Sequence, residues 1–176
     1  MDSTTLANKH LPKSRLTATF IRSLNHIATA GLNDTPGQYR TEPARINNSS
    51  HIPTEIENIA DEVGEFCVFI KENWDMYTAL ELAAYALWRI VWIHPFSDGN
   101  GRTADAVGYF ILCRKLETWL PGNEIIPKYW HANRDDRYYN ALKAADARGV
   151  NSPESVTDLT DLMGRALLNQ LKSAKL

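Results

Sequence analysis

No apolar run in the 176-residue sequence approaches the roughly 18 residues that would span a bilayer. The first thirty residues are polar and mixed in charge, without the apolar stretch of a secretory signal. The expected setting is therefore the cytoplasm, with export of an effector by a non-classical route as the other option, and no membrane partner is expected. Cysteine is scarce: Cys67 and Cys113 are the only two, and neither belongs to a CxxC or Cys/His pattern. Buried free thiols are expected rather than a disulfide or a metal pair. An excess of one charge is also missing, since 19 basic and 21 acidic residues leave a net charge of -2. No basic block or stripe marks a nucleic-acid footprint, which argues against a nucleic-acid partner. The GxxxxGK(S/T) phosphate loop and the HExxH zinc motif are absent, as are internal repeats.

With 44% hydrophobic residues the chain can bury one substantial core. Residues 1–15 read as a polar tail, and 16–176 as a single domain. Helical spacing of Leu16, Phe20, Leu24, Ile27 and Ala28 predicts a first helix from Leu16 to Ala30, with Gly31 at its C-cap. Pro53 at a first helical position opens a second, burying Ile56, Ile59, Val63, Phe66 and Ile70. Thr78 with Glu81 forms a capping box for a third, apolar almost all round from Leu80 to Ile93 and therefore central. A fourth runs from Asn100 or Gly101 to Leu116, and two more cover Tyr129–Ala147 and Ser152–Leu171. The turn-rich stretch before Pro53 supports either a short β-hairpin across Pro43–Ile52 or a surface loop. The fold class is all-α, a compact bundle of about six helices with at most one short hairpin.

Between the third and fourth helices lies His94-Pro95-Phe96-Ser97-Asp98-Gly99-Asn100-Gly101-Arg102. Pro95 disfavours the α conformation at His94 and stops the third helix there. A helix N-terminus preceded by glycine presents unpaired N–H groups at the positive end of the macrodipole, so Gly99, Asn100, Gly101 and Arg102 describe an anion cradle. Arg102 adds a permanently charged fork for phosphate oxygens. Asp98 can hold Mg²⁺, which commonly bridges a carboxylate to phosphates. His94 titrates near neutrality and can deprotonate a hydroxyl attacking a phosphorus in the cradle. The expected chemistry is phosphoryl or nucleotidyl transfer.

This stretch resembles the signature of Fic-domain proteins, HxFx(D/E)GNGRxxR. The likeness extends to Gly37-Gln38-Tyr39-Arg40 and Pro53 upstream and to Arg137-Tyr138-Tyr139-Asn140-Ala141-Leu142 downstream. The resemblance implies a helical Fic fold and transfer of a nucleoside monophosphate, by default AMP from ATP, to a Ser, Thr or Tyr hydroxyl of a target protein. By position it makes His94 the base, Asp98 the Mg²⁺ ligand, Gly99, Asn100 and Gly101 the α-phosphate anion hole, and Arg102 a β-phosphate ligand. Tyr138 and Tyr139 are placed like residues that contact the nucleoside, although a helix of this pattern also turns at least one tyrosine into the core. Arg45, Ile46, Asn47, His51 and Ile52 fall in the family's flap, which pairs with a target segment as an extra strand.

The motif's second arginine, associated with the γ-phosphate, is replaced by Asp105. A carboxylate there would repel that phosphate at a cost on the order of a few kcal/mol. The inhibitory pattern (S/T)xxxE(G/N), whose glutamate pairs with that arginine in the family, is absent as well; such a brake would have no arginine to pair with here, and a separate inhibitory protein is one option for restraint. Two alternatives follow: a Fic-type transferase whose donor needs no bound γ-phosphate, or a catalytically silent Fic-like module that binds a protein strand.

Overall fold

The computed structural model describes residues 16–46, 49–126, 136–149 and 151–174. The tail 1–15, Asn47 and the expected helix start at Tyr129 lie outside the described residues. Six α-helices occur among those described: α1 (Ala18–Thr29), α2 (Ile59–Glu72), α3 (Ala79–Ile93), α4 (Asn100–Lys115), α5 (Asp136–Arg148) and α6 (Thr157–Ser173). Short 3-10 turns at Ile56–Asn58 and Pro153–Val156 lead into α2 and α6. No described helix is long and apolar enough to cross a membrane. Cys67 and Cys113 are free thiols, the first partly and the second fully buried, and burial pushes the Cys67 thiol up to about 11.

The apolar sequence of α3 makes it the axis of the bundle. Residues from Leu82 through Ile90 are buried without a break, and Ile93 with them. The Thr78 capping box forms as expected: Glu81 N–H donates to Thr78 Oγ1 (3.3 Å), and Thr78 N–H donates to the Glu81 carboxylate (2.8 Å). Helices α2, α4, α5 and α6 all pack on α3, with α4 the most extensive neighbour. Their close approach depends on Gly108, where a Cβ would lie 3.0 Å from the Ala83 carbonyl oxygen and 3.3 Å from Leu87 Cβ. The turn joining α3 to α4 is therefore mounted on the most extensively packed pair of helices among the described residues.

Three local expectations change. The buried stripe of α1 is Ile21, Asn25 and Thr29. Phe20 and Leu24 are half-buried and Ile27 is 74% exposed, because α1 turns a polar ridge toward the α3–α4 turn. The second helix starts after Pro53, at the 3-10 turn Ile56–Asn58, since the Thr54 carbonyl accepts from the buried Arg40 guanidinium. Last, no strand pairing joins the described residues of 43–52. The described extended backbone instead pairs just upstream, where Tyr39 forms an isolated antiparallel bridge with Phe96 and Arg40 N–H donates to the Pro95 carbonyl (2.9 Å). Pro43 offers no N–H for a hairpin ladder, and Thr41–Pro43, Arg45 and Ile52 are exposed. For the described residues the surface-loop alternative holds.

Candidate active site

His94 ends α3 in the left-handed conformation (φ 52°, ψ 56°), its N–H donating to the Ile90 carbonyl (3.0 Å). A non-glycine residue there is strained, and neighbouring bonds hold it in place. Arg40 Nε donates to the His94 carbonyl (2.8 Å), while the rest of the guanidinium donates to the carbonyls of Glu42 (3.1 Å) and Thr54. One buried side chain thus ties the histidine backbone to both ends of the 42–54 loop. Phe96 is buried beside Tyr39, ring centroids 5.7 Å apart. The Asn100 side chain locks the turn by accepting from Phe96 N–H (2.9 Å) and donating to the Phe96 carbonyl (2.7 Å). What Asn100 can offer an anion is its backbone N–H.

Helix α4 begins at Asn100 after Gly99, whose φ is 74°. A Cβ at Gly99 would lie 2.4 Å from Thr29 Cγ2, so glycine is required by both conformation and contact. Asn25, fully buried on α1, completes the support. Its Nδ2 donates to the Asp98 carbonyl (2.9 Å) and to Thr103 Oγ1 (3.1 Å), and its Oδ1 accepts from Gly37 N–H (2.9 Å). The first N–H inside the helix ladder is that of Thr103, donating to the Gly99 carbonyl (2.9 Å). The N–H groups of Gly99 to Arg102 precede it and have no partner within the helix, the condition for anion binding.

Arg102 reaches back from α4. It donates to the Ala28 carbonyl (2.6 Å) and forms an ion pair with Asp98 (2.9 Å), which is itself half exposed. Asp98 and Arg102 therefore neutralise one another while leaving carboxylate and guanidinium edges at the surface beside the cradle.

Two cavities meet at His94. The first, about 210 Å³, is lined by His94, Asn100 and Gly101 at the turn, by Trp88, Val91 and Trp92 of α3, by Tyr138, Tyr139, Leu142, Lys143 and Asp146 of α5, and by Ile46, Ser49 and His51. The second, about 340 Å³, lies toward Thr35, Gln38, Arg45 and Ser97 and is also lined by His94. Burial lowers the His94 pKa from its ordinary 6.5; the Val91 carbonyl opposes this, and the charges of Arg40 and His51 add to it. The imidazole is thereby kept in the neutral form that accepts a proton.

A family model described as Fic/DOC family matches residues 15–112, a span that contains α1 through most of α4 and the whole turn. The chain belongs to the Fic/DOC family. It is 33% identical over 79 residues to a protein adenylyltransferase Fic of Nematostella vectensis, 44% of this chain and 18% of that protein. Solved structures share the fold. A Fic domain containing signaling protein from Bacteroides thetaiotaomicron superposes with a TM-score of 0.71 at 24% identity, covering 93% of this chain and 65% of that one. A Fic family protein from Desulfovibrio desulfuricans gives 0.69 at 21%, covering 90% and 46%. Fic-1 (aa134 - 508) from C. elegans gives 0.67 at 20%, covering 92% and 44%. The chain thus spans only part of the length of these relatives.

Within this Fic domain the residues singled out by sequence separate into groups. His94, Asn100, Gly101, Tyr138, Tyr139, Ile46 and His51 converge on the first cavity, and Arg45 lines the second. Tyr138 is almost wholly buried while Tyr139 is 45% exposed, so one tyrosine packs and its neighbour fronts the opening. His51 Nε2 donates to the Trp92 carbonyl (2.8 Å), its ring 4.9 Å from the Trp92 ring, which docks the loop onto α3. Ile52 is exposed and lines neither cavity. Asp105 is 2% exposed and lines neither cavity. Asn25, Arg40 and Asp146 were not identified as site residues from sequence. A polar residue one turn after Ile21 was the available signal for Asn25; Arg40 and Asp146 act through contacts with distant segments.

Proposed function

We propose that this Fic domain is a protein nucleotidyltransferase, moving a nucleoside monophosphate, by default AMP from ATP, onto a Ser, Thr or Tyr hydroxyl of a target protein. The observation that carries this is the position of His94, which lines both the cavity that includes Asn100 and Gly101 of the anion cradle and a second cavity beside Gln38, Arg45 and Ser97. Donor phosphates would lie on the N–H groups of Gly99, Asn100 and Gly101 with Arg102 on the β-phosphate, and the nucleoside would extend toward Tyr138 and Tyr139. The target segment would lie along the exposed loop at Arg45, Ile46 and Ile52, using backbone contacts, with its hydroxyl entering the second cavity. His94 accepts the hydroxyl proton as the oxygen bonds to the α-phosphorus and pyrophosphate departs.

The residues present fit Mg²⁺. No group of three or more His, Cys, Asp or Glu converges among the described residues, whereas a half-exposed carboxylate, Asp98, stands beside the phosphate cradle. Mg²⁺ is ordinarily held by one or two carboxylates plus substrate phosphates. Asp98 would hold it, and the ion would supply charge neutralisation for the departing phosphates.

Incubating the protein with labelled nucleotides and a cell lysate tests the proposal. Label transfer by the wild type, lost in His94→Ala, is expected; no His94-dependent label from any nucleotide would overturn it. A second reading, a donor that needs no bound γ-phosphate, is favoured by the lack of a cation at position 105, where the motif this turn resembles carries an arginine. Asp105→Arg should then tighten ATP binding relative to ADP, and an unchanged ratio in a folded variant counts against it.

A further inference from the structure

Helix α5 borders the first cavity on one flank. On its other flank it forms, with α6, an open groove of about 440 Å³ that shares no residue with the site described above. Arg148 at the end of α5 donates to Asp158 at the start of α6 (2.8 Å) and to the Ser155 carbonyl (2.7 Å), so the two helices are tied at one end and run away from it in opposite chain directions. Ala141, Ala144 and Leu162 supply the apolar lining, and the two alanines are too short to fill the space. The charges are sorted along the groove. Asp158 and Asp161 lie toward the tied end and Arg165 and Arg137 toward the other, with Asp158 and Arg165 about 10 Å apart along α6.

Asp161 and Arg165 are exposed and make no ion pair among the described residues, so their charges are available to a partner. An acid-to-base order has one simple complement, the same groove read in reverse. A second copy of this chain related by a two-fold axis presents it, and every favourable contact then occurs twice. A segment of a single charge would instead meet like charge at one end of the groove, which opposes binding. Leu168, 58% exposed and one turn beyond Arg165 on the same helix face, gives the pairing an apolar share. We propose that the α5–α6 groove is a self-association surface, through which two copies pair antiparallel with Asp161 of one against Arg165 of the other. This rests on the groove alone and is independent of the nucleotidyl-transfer reading. Because the contacts are largely charged and exposed, the dimer is weak, reversible and sensitive to salt.

Sedimentation velocity of the full chain at low salt, over a concentration series, tests this. The wild type should pass from monomer to dimer with a dissociation constant on the order of 10–100 µM, and the transition should fade as ionic strength rises. Asp161→Arg and Arg165→Asp each set like charges together at both copies of the contact. At about tenfold per contact, each should weaken the dimer roughly 100-fold. Combining the two restores opposite charges in reversed order and should recover the dimer. Both sites are exposed, so folding should be unaffected, as melting curves check. Glu65→Arg, exposed on α2, changes the net charge as much as Asp161→Arg and should leave the dimer intact. A wild type that stays monomeric throughout, a dimer indifferent to both reversals, a double variant that stays monomeric, or equal weakening by Glu65→Arg overturns the proposal.

Discussion

Replacing Arg40 probes the link between fold and chemistry most directly. The residue is 6% exposed, and its guanidinium serves three backbone carbonyls, those of His94 (2.8 Å), Glu42 (3.1 Å) and Thr54. Arg40→Met keeps most of the stem and removes all three charge-assisted donors, each worth about 1.5–3 kcal/mol. Relief of the buried charge offsets part of that loss, leaving a net destabilisation of about 3 kcal/mol and a fall in melting temperature of about 10 °C. The same change frees the His94 backbone and both ends of the 42–54 loop, and a displacement near 1 Å at a catalytic group costs about 100-fold in rate. Arg40 lines the second cavity and reaches the first only through His94 and the loop residues Ile46, Ser49 and His51, so kcat should fall by more than nucleotide affinity. Thermal unfolding, nucleotide titration and steady-state kinetics on one preparation separate these effects. Arg40→Lys is the decisive control, because one ammonium cannot reproduce a planar fork across three acceptors. A lysine variant as stable and as active as the wild type would refute the reasoning.

Two further outcomes are expected. In the proposed reaction His94 would act as a neutral base, and burial first holds its pKa below the ordinary 6.5, so activity should persist on acidification until below pH 6.5 and then fall. A pH–rate profile with its acid limb at or above 6.5 would contradict the buried histidine as base. Gly99→Ala places a Cβ 2.4 Å from Thr29 Cγ2 at a φ of 74°, costing about 1–2 kcal/mol for the left-handed backbone and about 1–3 kcal/mol for the overlap. Adding Thr29→Ser should recover the overlap part alone, as read by denaturant unfolding; full recovery would show that the backbone conformation carries no penalty.

Much of the bundle was legible because hydrophobic period reports burial directly. The all-round apolar segment from Leu80 to Ile93 had to be central, and the spacing of Ile59, Val63, Phe66 and Ile70 had to face a core. The same logic misplaced the face of α1, since Asn25 and Thr29 are polar and nothing local says that their partners are the Asp98 carbonyl and Gly37 N–H. The start of α2 was misplaced for a related reason: Pro53 is a good helix opener, but the Thr54 carbonyl is taken by an arginine 14 residues upstream. Loop 42–54 carried weak signals in either direction, and its described conformation is set by Arg40, by His51 on Trp92 and by the Tyr39–Phe96 bridge.

The turn from His94 to Arg102 is where the two levels divide. Its chemistry was determined by the sequence alone: a helix stopped by Pro95, another begun after Gly99, and an imidazole, a carboxylate and a guanidinium at fixed spacings, all consequences of backbone restrictions within nine residues. Only the tertiary structure decided that His94 lines two cavities, that Asp105 is buried, and that Trp88 and Asp146 meet at the first cavity. Such an arrangement depends on α1 meeting the turn and α4, and on α3 meeting α5, across separations of 58 to 78 residues, and side-chain pairing over such distances leaves no periodic trace in the chain.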